Sequence, residues 1–190
     1  MSLLRTAEPA EEPITLAEAK LHLAVDASDT DALITLLIKA ARRQAEHQMQ
    51  RSLIDQEWTL TLDGFPDEVR LHMGRVSAIT SVAYVDADGV TQTLAGANYY
   101  LDNKGAYTQW LVPAYGTAWP STRDQANAVT VVYRAGEAGA ASVPEDIKQW
   151  ILLMVGQWFA TREAGVEKAI AEVPRGFWAG LLDPYRVIGV

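Results

Sequence analysis

Apolar and polar residues repeat with two different periods along this chain, and the change of period divides it. From Ser28 to Leu53 the apolar positions fall at Leu33/Ile34, Leu37/Ile38, Ala40/Ala41, Ala45, Met49 and Leu53, the spacing of one helical face. The stretch holds no Gly or Pro and is rich in residues that lose little freedom in a helix. Lys39, Arg42, Arg43, Glu46 and Gln50 take the other face. About 25 residues at ~1.5 Å each make a rod of roughly 37 Å. Such a rod needs a partner along its apolar stripe. The matching stripe lies far downstream: Ile147, Trp150/Ile151, Met154/Val155 and Trp158/Phe159. Ser142 and Val143 read as its caps, Pro144 as its first helical residue, Glu145 and Asp146 as its first turn, and Gly165 as its stop. A shorter helix, Leu16 to Leu23, precedes the rod, with Thr15 and Glu18 spaced as a capping box. Ser28 or Asp29 then caps the rod, and Asp29 and Asp31 suit its first turn.

Between the helices the period drops to two. Alternating runs occur at Glu57–Leu62, Val69–Met73, Ser81–Asp86, Val90–Leu94 and Val129–Arg134, with shorter extended pieces at Asn98–Asp102 and Trp110–Val112. Asp88-Gly89 between two of these runs is a hairpin signal. The runs predict a small antiparallel sandwich or barrel. The fold class is therefore α+β: a small helical bundle formed by N- and C-terminal helices, with an inserted antiparallel β-rich domain. The expected boundaries are a flexible arm at 1–13, a helical domain at 14–55 and 143–190, a β insert at 56–135 and a linker at 136–142. The tail residues Phe177, Trp178, Leu181, Leu182, Tyr185, Val187 and Ile188 are too apolar for water, and a short helix near 176–183 is expected to dock on the bundle or on a neighbouring copy.

Composition narrows the functions. The 190 residues include no cysteine, which excludes disulfides, thiolate metal sites and thiol nucleophiles. The start of the chain lacks the pattern of a signal peptide, and no apolar run approaches the ~18 residues of a membrane helix. Net charge is −8, divided as −3, −3 and −2 over residues 1–55, 56–135 and 136–190. No basic block appears, which argues against sequence-specific nucleic-acid binding. An acidic surface can face DNA without adhering to it.

The candidate chemistry is thin. His22, His47 and His72 fall in three different elements without metal-ligand spacing. Asp86-Ala87-Asp88-Gly89 has its glycine at the wrong place for a calcium loop and reads as a turn. Gly136 to Gly139 lacks the Lys-Ser/Thr of a phosphate loop, and no nucleophile elbow occurs. A convergent pair of carboxylates in an uncatalogued hydrolase is a further reading, but no spacing selects one. Tyr107, Trp110, Tyr115 and Trp119, on loops of the β domain, are candidate partner-binding aromatics; the competing readings are a carbohydrate- or protein-binding module and plain packing.

Both helical ends resemble the head–tail connector (adaptor) family of long-tailed bacteriophages. The first carries Ile14-Thr15-Leu16-Ala17-Glu18-Ala19-Lys20-Leu21-His22-Leu23, then Asp26, Asp29 and Asp31-Ala32-Leu33-Ile34, then Ala40-Ala41-Arg42-Arg43-Gln44-Ala45-Glu46. The second carries Val143-Pro144-Glu145-Asp146-Ile147-Lys148-Gln149, Ile151 to Val155, Trp158-Phe159 and Arg162-Glu163, and closes on Leu181-Leu182-Asp183-Pro184-Tyr185-Arg186. Ala24, where the family pattern has Arg, and Phe159, where it has Tyr, depart from it. The resemblance covers about half of the chain and implies a family member with an inserted β domain. It further implies a non-enzymatic virion protein without cofactors that forms a cyclic homo-oligomer, often a dodecamer. The implied partners are the portal protein and tail or neck proteins, with no membrane. The implied location is the virion neck, after assembly in the bacterial cytoplasm. Arg42, Arg43, Glu46, Trp178, Leu182 and Tyr185 are the candidate subunit-interface residues.

Overall fold

A computed structural model describes residues 1–105, 108–161 and 180–187. The chain divides into two compact units, one made of residues 11–54 and those from 138 onward, the other of residues 1–10 and 55–137.

The helical unit begins with α1 (Leu16–Leu23). Its capping box forms as its sequence requires: the Glu18 N–H donates to Thr15 Oγ1 at 3.2 Å, and the Thr15 N–H donates to Glu18 Oε2 at 2.6 Å. The Thr15 N–H and the Thr15 hydroxyl, which donates to the same Glu18 Oε2 at 2.7 Å, hold the Glu18 carboxyl below its ordinary range. Helix α1 ends at Ala24 in the left-handed region. The rod, α2, spans Asp31–Met49, 19 residues or roughly 28 Å, shorter than the sequence pattern suggests. Thr30 precedes it and gives no side-chain cap. Gln50, in the left-handed region, stops it, and the chain turns back through Ser52 to Ile54. Helix α3 spans Glu145–Ala160 with Pro144 just outside it. Ile34, Ile38, Ala41, Ala45 and Met49 of α2 share one core with Ile147, Trp150, Ile151 and Val155 of α3. Ala19 of α1 completes it. Full burial of each large side chain contributes roughly 1.5–3 kcal/mol, so this seam dominates the unit.

The expected arm is not a free arm. Ser2–Ala7 form β1, which pairs antiparallel with β2 (Gln56–Leu62), Leu3 opposite Leu60. The alternation of Ser2-Leu3-Leu4-Arg5-Thr6 is too short to stand out beside the acids and prolines that follow it. The other strands are β3 (Val69–Leu71), β4 (Val76–Val85), β5 (Thr91–Thr93), β6 (Tyr99–Asp102), β7 (Gln109–Pro113) and β8 (Val129–Ala135). They form a five-stranded sheet in the order β1-β2-β8-β4-β5 and a three-stranded sheet β3-β7-β6, every neighbouring pair antiparallel. Both sheets feed one core, in which Val129, Val131, Tyr133 and Ala135 of the central β8 alternate inward with Leu60, Val82, Leu71 and Leu111. The hairpin at Asp88-Gly89 forms as expected, with Gly89 at a φ of 85°.

The expected linker at 136–142 is also structured. Glu137 O accepts from Asp55 N–H at 2.9 Å, and Ala140–Ser142 make a 3₁₀ turn whose Ala140 N–H donates to Glu11 Oε1 at 2.9 Å. The short helix expected near 176–183 lies in part outside the described residues; 180–182 are helical and lead into a 3₁₀ turn at Asp183–Tyr185.

Candidate assembly surfaces

Arg42 and Glu46 lie one turn apart on α2, on the face the sequence assigns to solvent. Both are buried, Arg42 at 0% and Glu46 at 2% exposure. Arg42 Nη1 donates to Glu46 Oε2 at 2.8 Å, and Arg42 Nε donates to Glu12 Oε2 at 2.7 Å. Glu46 Oε1 accepts the Leu53 N–H at 3.0 Å. The guanidinium thus pins the segment before α1, and the carboxylate pins the turn after α2. The reason sequence misplaces them is plain: helical spacing shows which residues share a face, not which non-helical segments come to cover it. Neither residue is available to a neighbouring copy. Arg43, the third of this group, is exposed.

The tail candidates also turn inward. Leu182 is fully buried in the helical core. Tyr185 is half-buried; its hydroxyl donates to Asp146 Oδ2 at 3.2 Å, and the Arg51 guanidinium lies over its ring at 6.0 Å. Val187 N–H donates to Met49 O at 2.9 Å. Of the two readings of the tail, the described part takes the first and packs on its own bundle. Trp178 lies outside the described residues.

The aromatics of the β unit have separate surroundings. Trp119 stacks on Phe65, ring centroids 4.7 Å apart, and its indole N–H donates to Asp67 O at 3.1 Å. It therefore packs within the β unit and is only partly exposed. Trp110 is a half-buried residue of β7, opposite Arg70 and Asp102 in the ladder. Tyr115 stands wholly in solvent beside the turn at Gly116. Tyr107 lies outside the described residues.

Burial, with a lesser contribution from Arg70, pushes the half-buried His72 below its ordinary value. Burial raises Tyr133 far above the usual phenol range; its hydroxyl donates to His72 O at 3.0 Å and accepts from His72 N–H at 3.3 Å. Asp86 is held low by Gln92 first, then by the N–H groups of its own hairpin. Those bonds complete a turn. Among the described residues no group of three or more His, Cys, Asp or Glu could hold a metal. An open groove of about 210 Å³ beside Glu11, Ile14, Leu16 and Ile38 falls below the roughly 300–1,000 Å³ of ordinary small-molecule sites.

Two exposed leucines were not singled out by the sequence pattern. Leu21 on α1 is 84% exposed and Leu36 on α2 is 63% exposed. The available signal was Leu36 itself, a large apolar residue off the apolar stripe of its helix.

Residues 13–84 match the family model described as "Phage gp6-like head-tail connector protein". No curated protein matches the sequence. Three solved structures are similar over 100% of this chain and 97% of theirs. One is from the neck of an empty gene transfer agent particle computed with C6 symmetry, at 24% identity and a TM-score of 0.80. Another is from the virion of the native particle, at 25% identity and 0.79. A third is from the native neck computed with C12 symmetry, at 24% identity and 0.77. The two likenesses at 24% identity speak to the fold, helices and β-rich region alike. The family model covers residues 13–84, and the likeness along the whole chain is one of fold.

Proposed function

We propose that this chain is a ring-forming head–tail connector subunit, a structural component of the neck of a phage or phage-like particle. The observation that carries the reading is the likeness of the entire chain, and not only of its helical part, to chains from necks with C12 and C6 symmetry. The physical properties agree with it. The overall charge of −8 suits the wall of a passage that DNA crosses without sticking. In this reading the portal protein lies on one side of the ring and tail or neck proteins on the other, and the protein works by holding them rather than by catalysis. The subunit is made in the bacterial cytoplasm and ends in the virion.

Light scattering and native mass spectrometry on the full chain, alone and with a portal protein, test the proposal. A closed oligomer, formed alone or nucleated by the portal, is the expected result. A strict monomer at high concentration in both conditions overturns it.

A further inference from the structure

We infer that the outward stripe of α2, formed by Leu36, Lys39, Arg43 and His47, is one side of a head-to-tail contact between copies of this chain, and that it receives an acidic surface of the next copy. The inference rests on the connector reading and supplies a contact for it. The four residues follow one another at intervals of three and four, so they run in a line along the helix, and all four are exposed. Lys39 and Arg43 bring two positive charges to this line. Beyond Asp31 in its first turn, the only carboxylate of α2 is Glu46, and Glu46 is turned inward to Arg42 and Leu53. Within α2, no exposed carboxylate accompanies Lys39 and Arg43 on this line, on a chain whose net charge is −8.

Among the described residues of the helical unit, exposed acid stands on other segments. Glu18 on α1, Asp26 and Asp29 in the turn before α2, and Glu145 and Asp146 in the first turn of α3 are all exposed. This segregation selects a symmetry. Two basic stripes facing across a two-fold axis would oppose like charges at their centre. A stripe set against the acidic surface of the next copy joins unlike charges, and because the two surfaces differ the contact repeats around a ring. Leu36, at 63% exposure, adds an apolar contact that a protein surface can bury and a phosphate backbone cannot use. That favours a second copy over nucleic acid as the occupant.

The test uses the full chain and its variants Lys39→Glu/Arg43→Glu and Leu36→Ser/Lys39→Glu, the second leaving Arg43 and its own interactions untouched. Arg123→Glu, an exposed position in the β unit, serves as the control. Thermal melts verify folding, and native mass spectrometry follows assembly at about 50 and about 500 mM salt, where screening differs strongly. Assembly of the wild type should weaken at the higher salt. Each stripe variant should need at least tenfold more protein to assemble, while the control behaves as wild type. Stripe variants that assemble like the wild type overturn the contact and leave the connector reading standing. A wild type that never assembles overturns both. Variants that assemble normally but lose binding to duplex DNA give the stripe to nucleic acid and also overturn the inference.

Discussion

The helical unit and the β unit bury polar groups in different ways. The helical unit buries charge: Arg42 against Glu46 and Glu12. The β unit buries neutral groups: Gln109, whose side chain accepts the Val76 N–H, and the Tyr133 hydroxyl, which both donates to and accepts from His72. The difference follows from what each architecture leaves unfixed. Backbone ladders already hold every strand of the β unit in register, so single neutral bonds suffice at the ends. Helices make their backbone bonds internally and hold nothing else in place. The non-helical pieces at Glu12 and Leu53 must be fastened to α2 by side chains, and a buried arginine with its fixed fork of donors can hold two at once.

This contrast can be broken by experiment. Arg42→Ala should be the most damaging change, costing about 3–5 kcal/mol in chemical denaturation, because it takes the guanidinium away from the buried Glu46 carboxylate. A loss below about 1 kcal/mol would mean that the network is not a fastening. Tyr133→Phe in the β unit should cost less, about 1–2 kcal/mol, since it strands the His72 N–H and C=O but no charge. If it matched Arg42→Ala, the distinction between the units would fail. Thr15→Ala, which removes the oxygen that caps α1, should cost about 1 kcal/mol, seen as a lowered melting temperature.

The smallest effect is a pH slope. His72 resists protonation in the fold, so the unfolded chain binds more protons just below the ordinary histidine value of about 6.5. Stability from this group is complete above that value and falls as the pH drops from it towards the depressed folded value. Melting temperatures of the wild type and His72→Gln, followed from neutral to mildly acidic pH, should show a shallower slope in the variant. Glu18, also depressed but with a carboxylate's range, loses its contribution only at lower pH.

What could be read in advance separates along the same line. Features set by local spacing were legible: the capping box of α1, the seam of α2 against α3, the Asp88-Gly89 hairpin and the inward alternation of β8. Features set by a distant partner were not. Strand β1 finds its register on residues fifty or more positions away, and Arg42 is buried because Glu12 and the turn at Leu53 close over it. The candidate surfaces inherited this blindness. Arg42, Glu46 and Leu182 looked available because nothing near them in sequence would cover them, whereas Leu36 was overlooked because it belongs to no buried stripe. The packing of Trp119 likewise depends on Phe65, which lies on another loop.

Strand β1 belongs to the sheet, yet the chain passes through α1 and α2 before it reaches β2, and returns to α3 only after β8. Neither unit is therefore a continuous length of polypeptide. On a ribosome adding roughly 5–20 residues per second, β1 emerges seconds before any strand it can pair with, and the central β8 arrives several seconds later still. The stripe of α2 waits similarly for α3. The β core becomes possible only once β8 is out of the exit tunnel and the helical core only when α3 follows it, so nascent subunits present their apolar seams late, and a product truncated before β8 has neither unit to fall back on.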